Sequence, residues 1–167
     1  MKKNNFLLRN AILAMILLFV GLTVSAQSWN DMVRWMKGSG KYRLAELAHP
    51  YDYANNKVLD YKVDATSSSV IVKVRYEGVM GAYTDTYEIV KGQYRTRTFF
   101  RRIRVDEPWD PFCSAFQSIE NFSIGYENTY LRSQLSPMYG GENFKDLSKG
   151  EKAACVLYAS FMKDYSN

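Results

Sequence analysis

Between residues 70 and 105, apolar and polar side chains alternate in a way that permits few structures other than a β-sheet. From Val70 to Tyr76 every second residue is Val or Tyr, which is the two-residue period of a half-buried strand. Two glycine-containing turns follow, at residues 78–81 and at Lys91-Gly92. The pattern therefore predicts three consecutive antiparallel strands, the second over 82–90 and the third over 93–105.

The positions of these turns predict which residues face each other. The first turn places Val74 opposite Asp85, and the second places Glu88 opposite Arg95. Because side chains alternate between the two sides of a strand, both turns assign residues to the same two faces. The agreement between the two turns supports a single sheet.

One predicted face is apolar and the other is basic. The expected core face carries Val70, Val72, Val74, Tyr76, Tyr83, Asp85, Tyr87, Ile89, Tyr94, Thr96, Thr98 and Phe100. The opposite, solvent-facing side carries four basic residues, Lys73, Arg75, Arg95 and Arg97. The alternation slips by one residue after Phe100, and a β-bulge at Arg101-Arg102 would restore it.

The first 26 residues are typical of a secretory signal peptide. A positively charged segment with Lys2, Lys3 and Arg9 precedes an apolar run from Ala11 to Val20. Val24-Ser25-Ala26 is a small-residue cleavage site. The alternative is a single membrane anchor, for which the apolar run is short. We therefore expect export to the periplasm or the extracellular space.

Cleavage would leave residues 27–167 as a single domain. The signal segment holds three of the 22 basic residues and none of the 17 acidic ones, so the net charge of the remainder falls from +5 to +2. Nucleic acid is not expected as a partner of an exported, nearly neutral chain. The domain has no second long apolar run, and no stable membrane insertion is expected after cleavage.

Helical patterns flank the predicted sheet on both sides. Residues 28–37 carry one apolar stripe behind a capping serine, and residues 42–48 predict a further helical turn or two. A loop over 49–56 and a fourth strand over 59–63 are expected next. The predicted class is α+β: an N-terminal helix, a four-stranded antiparallel meander, and two or three C-terminal helices packed on one sheet face.

Two helix starts lie beyond the sheet. Asp110-Pro111 is a strong start signal, with Asp as the cap and Pro at the first helical position. Ser148 and Glu151 form a capping box for a final, largely apolar helix. Residues 123–146 show no clear pattern.

The chain has two cysteines, Cys113 and Cys155, and both lie in predicted helices. In an oxidising compartment a Cys113–Cys155 disulfide would join these helices and stabilise the fold by about 3–4 kcal/mol. The alternative is that both are buried thiols that pack as small apolar side chains. Sequence alone does not choose between them.

A further interpretation of Cys113 makes the chain a small secreted cysteine hydrolase. Cys113 would be the third residue of its helix, where the N-terminal amides stabilise a thiolate. His49 is the only histidine, so it would be the general base, with Asp52 orienting it. No family motif surrounds either residue, and a non-catalytic domain is the preferred interpretation.

Asp85 is the residue that contradicts the pattern, because it falls on the apolar face. A buried carboxylate needs hydrogen-bond donors or a raised pKa. Same-face hydroxyl groups would supply the donors, namely those of Tyr76, Tyr83, Tyr87, Tyr94, Thr96 and Thr98, of which Tyr83, Tyr87, Tyr94 and Thr98 are the predicted ligand contacts. Such a pocket would suit a small polar ligand or a sugar. The alternatives are that Asp85 is open to solvent, or that Arg102 or Arg104 pairs with it.

The basic face gives a second candidate surface. Lys73, Arg75, Arg95 and Arg97 would bind an anionic glycan, a lipid headgroup or an acidic protein, or would simply be solvated. No metal-ligand spacing and no phosphate loop is present, so neither a metal nor a cofactor is expected. The preferred function is an exported, non-catalytic domain that binds a protein partner or a small polar ligand.

Overall fold

The computed structural model describes residues 28–55, 57–106, 138 and 146–165. Within these ranges three helices precede the sheet and one follows it: α1 (Trp29–Trp35), α2 (Lys41–Ala48), α3 (Pro50–Ala54) and α4 (Lys149–Tyr165). A π-helical segment, Met36–Gly40, joins α1 to α2 and contains a kink at Gly38. The sheet consists of β1 (Val58–Ala65), β2 (Ser69–Gly78), β3 (Gly81–Tyr94) and β4 (Arg97–Asp106).

Helix α1 begins directly after its N-terminal capping residue, Ser28. The Ser28 side chain accepts a hydrogen bond from the Asp31 backbone N–H, and the Asp31 carboxylate accepts from the Ser28 backbone N–H and hydroxyl. These hydrogen bonds hold the pKa of Asp31 below its ordinary value. Met32 and Met36 are fully buried, so the helix is anchored to the core through one side.

Residues 49–56 do not form the expected loop, since Pro50–Ala54 is the short helix α3. Pro50 lies at the first helical position, where its missing N–H costs nothing. The Tyr53 backbone N–H donates to the His49 carbonyl at 3.0 Å and closes the first turn. Five residues are too few to show a helical period, and the sequence pattern therefore missed this helix.

The four strands form one antiparallel sheet in the order β1-β2-β3-β4, which confirms the predicted meander. In the first predicted hairpin the register is correct: Val74 pairs with Asp85, and Glu77 pairs with Ala82. The fourth predicted strand is present as β1 and pairs along β2. The protein is of the α+β class, with helix α4 after the sheet.

The second predicted turn is wrong. Strand β3 continues through Lys91-Gly92 to Tyr94, and the chain reverses at Arg95-Thr96, where Arg95 has the left-handed φ of 54°. Gly92 is needed for a different reason. A Cβ at this position would lie 2.5 Å from the ring of Phe99. The glycine therefore leaves room for this ring and does not mark a turn.

The register of β3 and β4 changes accordingly. Ile89 pairs with Ile103, and Glu88 faces Arg104 instead of Arg95, with 3.1 Å between the Arg104 and Glu88 side chains. Val90 pairs with Arg102 while the next residue of β3 pairs with Phe100. Arg101 is therefore the extra residue of a β-bulge, at the place where the sequence pattern predicted one.

The core lies on the face of the sheet that carries the alternating Val and Tyr residues. Six of these side chains are completely buried, namely Val70, Val72, Val74, Tyr76, Tyr87 and Ile89. Phe100 joins the sheet to two helices, because its ring lies 6.2–6.4 Å from four aromatic rings: Trp29, Trp35, Tyr158 and Phe161. One continuous core thus holds α1, α4 and β4 together.

Helix α4 packs closely against β4. The Ser148–Glu151 capping box forms as predicted, and the hydrogen bonds from Ser148 hold the pKa of Glu151 below its ordinary value. Gly150 lies so close to the sheet that a Cβ there would be 2.2 Å from the Ile103 carbonyl oxygen. The predicted helix at Asp110 falls outside the described residues.

Candidate functional site

Strand β3 places Asp85 in the interior, on the face that packs against the helices. Only 2% of this residue is exposed to solvent. It stands opposite Val74, with Tyr83 and Tyr87 on the same side of its own strand. A carboxylate in this position requires specific partners, because desolvation of the charged form is costly.

The partner of Asp85 is His49, which sequence reasoning had assigned to a different hypothesis. The His49 Nε2 and Asp85 Oδ2 atoms lie 2.7 Å apart, and His49 is 6% exposed. With the Asp85 carboxyl group ionised, Nε2 is the donor, since a carboxylate only accepts hydrogen bonds. The alternative in which Arg102 or Arg104 pairs with Asp85 is not observed, since the partners of Asp85 are His49 and Tyr87, and Arg104 pairs with Glu88.

The ends of α2 and α3 determine where the His49 ring lies. His49 is both the last cap of α2 and the first cap of α3, with non-helical backbone angles of −136° and 72°. Helix α2 is held in the core by four buried side chains, Leu44, Ala45, Leu47 and Ala48. The change of direction between the two helices aims the imidazole at β3.

Tyrosine hydroxyl groups extend the pair into the core. The Tyr87 hydroxyl donates to Asp85 Oδ2 at 3.0 Å, and the Tyr76 and Tyr87 hydroxyl oxygens are 3.2 Å apart. Since Tyr87 has one proton and directs it to Asp85, Tyr76 donates to Tyr87. This chain of hydrogen bonds runs from the buried centre of the sheet to His49.

Asp52 lies on the other side of the imidazole, and its side chain is partly exposed. The His49 Nδ1 and Asp52 Oδ2 atoms are 3.8 Å apart, and the Tyr83 hydroxyl donates to the same carboxylate oxygen at 3.1 Å. The Tyr76 and Tyr83 rings stack with centroids 5.2 Å apart. We call these six residues the Asp85 cluster: His49, Asp52, Tyr76, Tyr83, Asp85 and Tyr87.

One atom of the cluster lacks a partner. Asp85 Oδ1 is buried and makes no hydrogen bond within the part of the chain that the structure describes. Leaving a buried acceptor without a donor costs about 1–3 kcal/mol, and more when the group is charged. The cluster is therefore one hydrogen-bond donor short.

Burial also shifts the pKa values of two tyrosines of the cluster and of Tyr61 outside it. It raises the pKa of Tyr76 and of Tyr87 far above the ordinary value of 10.0. At the edge of the sheet, burial raises the pKa of Tyr61 to about 12. Tyr76 and Tyr87 therefore stay protonated, and able to donate hydrogen bonds, beyond the pH at which an ordinary phenol ionises.

In an alkaline titration, we expect Tyr61 to ionise near pH 12, while Tyr76 and Tyr87 stay neutral until the protein unfolds. Their folded-state pKa values are raised, so the stability they contribute is fully present below about pH 10 and is lost as the pH rises above it. Phenolate absorbance, with Tyr61→Phe to assign its signal, and urea unfolding at about pH 8 and about pH 11 measure the two effects. Ionisation of Tyr76 or Tyr87 in the native state would contradict the burial.

The structure does not bring Tyr94 and Thr98 to the cluster. Tyr94 ends β3 and Thr98 pairs with Gln93 beside it, at the opposite end of the sheet from the β2–β3 turn. Nine residues separate Tyr94 from Asp85, which corresponds to about 30 Å of strand. The predicted pocket thus keeps Asp85, Tyr83 and Tyr87 and excludes the other two.

The four basic residues do not form one surface either. Lys73 and Arg75 are exposed in the middle of β2, where Lys73 faces Thr86. Arg95 and Arg97 lie at the β3–β4 turn, about 27 Å away along β3. An anionic partner would contact one pair of basic residues or the other, because the two pairs do not form a continuous surface.

The cysteine predictions remain predictions. Cys155 is buried in α4, whereas Cys113 lies outside the described residues. No disulfide occurs within residues 28–55, 57–106, 138 and 146–165. Of the proposed hydrolase residues, the structure thus places His49 and Asp52 together and says nothing about the nucleophile.

Two classes of site are not found in the described ranges. No group of three or more His, Cys, Asp or Glu side chains there could hold a metal ion. In the same ranges, no helix combines the length and the apolar character that spanning a bilayer requires.

Sequence reasoning named Tyr76 among the hydroxyl donors for Asp85 but not among the ligand contacts, and it missed the pairing of His49 with Asp85. A signal for the pairing exists: the chain has one histidine, and one aspartate on an otherwise apolar face. No family model matches the chain, and it matches neither a curated protein nor a solved structure.

Proposed function

We propose that this chain is an exported, non-catalytic domain that binds a small polar ligand at the Asp85 cluster. The observation that carries the proposal is the Asp85 carboxylate, which is 2% exposed and has one oxygen without a donor. A ligand that supplies a donor would remove a cost that the fold alone does not remove. The signal-like first 26 residues support export.

The energetics of the cluster favour a functional over a purely structural role. Buried ion pairs are often no better for stability than apolar residues of similar size. The cluster places the two carboxylates of Asp52 and Asp85 around one imidazole, and one carboxylate oxygen is left unpaired. Groups held at such a cost cluster at functional sites.

The surroundings of the cluster suit binding at that end of the sheet. Tyr51 on α3 is 71% exposed, and Val79 and Met80 at the β2–β3 turn are fully exposed. Tyr83 lies two residues from Gly81, where that turn ends, and reaches Asp52 with its hydroxyl. Exposed aromatic and apolar side chains beside a polar centre are typical of binding surfaces, and they would equally contact a protein partner.

A second candidate function is supported by one specific distance. The 2.7 Å contact between His49 and Asp85 is the arrangement in which a carboxylate orients a general base. In a cysteine hydrolase that uses Cys113, Asp85 would then have the orienting role that was expected of Asp52. The nucleophile would have to approach His49 Nδ1, on the side where Asp52 lies.

An NMR screen of the purified protein against sugars, amino acids and amines tests the binding function. We expect at least one compound to perturb the Tyr83 and Tyr87 ring signals saturably, with no chemical change to the compound. Asp85→Asn should abolish the response, and Asp64→Asn, at an exposed carboxylate of β1, should preserve it. A screen without any such response would overturn the proposal.

Thiol chemistry distinguishes the hydrolase from the binding domain. If Cys113 is a nucleophile, iodoacetamide should alkylate it rapidly at neutral pH, and His49→Ala should slow the reaction. A binding domain should show slow alkylation that does not depend on His49. A Cys113–Cys155 disulfide in the native protein would eliminate the hydrolase.

A further inference from the structure

We infer that the ligand of the Asp85 cluster carries a small cationic hydrogen-bond donor, of the primary ammonium class. The inference rests on the proposed function and specifies its ligand. It follows from three properties of the cluster: a missing donor, a negative charge in either state of the imidazole, and aromatic faces around the carboxylates.

The first property is the missing donor. Asp85 Oδ2 accepts from His49 and Tyr87, whereas Oδ1 accepts from no group in the described part of the chain. The hydroxyl protons of the neighbouring tyrosines are already in use, since Tyr83 donates to Asp52 and Tyr76 to Tyr87. Within this set of residues no donor is left for Asp85 Oδ1.

The second property is the charge. Asp52 and Asp85 contribute two negative charges, and His49 is the only basic group within 4 Å of either carboxylate among the described residues. With both carboxyl groups ionised, the cluster carries one negative charge when the imidazole is protonated and two when it is neutral. A cationic donor is favoured over a neutral one, and an anionic ligand is disfavoured.

The third property is the aromatic surroundings. The Tyr76 and Tyr83 rings stack on each other, and the His49 ring meets the Tyr76 ring at 4.7 Å. Ring faces attract cations. An ammonium group provides three N–H donors on a compact head, whereas a bulky quaternary nitrogen has no N–H to offer Asp85 Oδ1.

Access limits the size of the head group. Asp85 itself is buried, but the Asp52 side chain is 17% exposed and belongs to the short helix α3. A ligand would approach from the Asp52 side, between α3 and Tyr83. Because Asp85 is 2% exposed, the head group that reaches it has to be small, and the rest of the ligand would remain near the exposed Tyr51.

Titration of the purified protein with methylammonium chloride tests the inference. We expect saturable shifts of the Tyr83 and Tyr87 ring signals, which tetramethylammonium chloride at the same ionic strength does not produce. Asp85→Asn should weaken methylammonium binding by at least about tenfold, as expected for the loss of a hydrogen bond to a charged group. Asp64→Asn should leave it unchanged.

A second variant, Asp52→Asn, and a neutral probe, glucose, complete the test. If Asp85→Asn does not fold, Asp52→Asn should weaken methylammonium binding in the same way. Equal responses to methylammonium and tetramethylammonium, or binding that both variants leave unchanged, would overturn the inference. If glucose binds saturably at the cluster and methylammonium does not, the proposed binding function survives and the ammonium assignment fails. If no compound binds there, both fail.

Discussion

Replacing His49 with alanine is expected to lower the free energy of unfolding by about 3–5 kcal/mol. The imidazole contacts Asp85 Oδ2 at 2.7 Å, and its removal leaves a carboxyl group that is 2% exposed without its imidazole partner. The remaining donor to that oxygen is the Tyr87 hydroxyl, which carries no charge. Urea unfolding at neutral pH, followed by circular dichroism, measures the loss.

A double-mutant cycle separates the pair from general packing. His49→Ala combined with Asp85→Leu should lose less stability than the sum of the two single variants, because no buried charge then remains. Asp64→Ala, at an exposed carboxylate, should change stability by less than about 0.5 kcal/mol. A loss below about 1 kcal/mol for His49→Ala alone would show that the pair is not buried as described.

Replacing Phe100 with alanine is expected to cost a similar amount, about 3–5 kcal/mol. Its ring is fully buried and contacts Trp29 and Trp35 from the N-terminal helical region and Tyr158 and Phe161 from α4. Truncation would leave a cavity where these elements meet the sheet, and packed aromatic rings could not fill it without moving. Urea unfolding and near-ultraviolet circular dichroism of the tryptophans report on stability and packing.

Because Phe100→Ala is expected to lower the free energy of unfolding so far, the experiment needs a milder variant and a surface control. A domain of this size has about 5–15 kcal/mol of stability in total, so Phe100→Ala can unfold the protein. Phe100→Leu keeps much of the buried volume and should cost less than Phe100→Ala. Val79→Ala at the exposed β2–β3 turn should have an effect within about 0.5 kcal/mol. An equally small effect of Phe100→Ala would contradict the central position of its ring.

Much of the sheet was predictable because its rules are local. The alternation from Val70 to Ile89 depends only on the two-residue period of a strand, and all of its predicted core positions up to Tyr76 are buried. The slip in alternation also located the bulge at Arg101. These features can be read from neighbouring residues without knowledge of the rest of the fold.

The second hairpin shows where local rules fail. Lys91-Gly92 has the composition of a two-residue turn, but its glycine is required by the Phe99 ring, which belongs to the next strand. The actual turn contains Arg95 with a positive φ, a residue type that carries no turn signal. A packing constraint from a neighbouring strand therefore overrode the local pattern.

The candidate site was predicted in two unconnected pieces. Asp85, Tyr83 and Tyr87 followed from the register of β2 and β3, while His49 and Asp52 were suggested as catalytic partners of Cys113. Their contact depends on the direction change at His49 between α2 and α3. Sequence periodicity contains no information about that angle.

By itself, the sequence determined the elements whose causes lie within a few residues: the first hairpin, the bulge, the capping boxes of α1 and α4, and the apolar face of the sheet. Only the tertiary structure decided that a histidine and an aspartate 36 residues apart form a buried pair at 2.7 Å. The physical reason is that capping and alternation act through neighbouring backbone groups, whereas the pair requires two packed helices to carry an imidazole onto a strand that has no local relation to it.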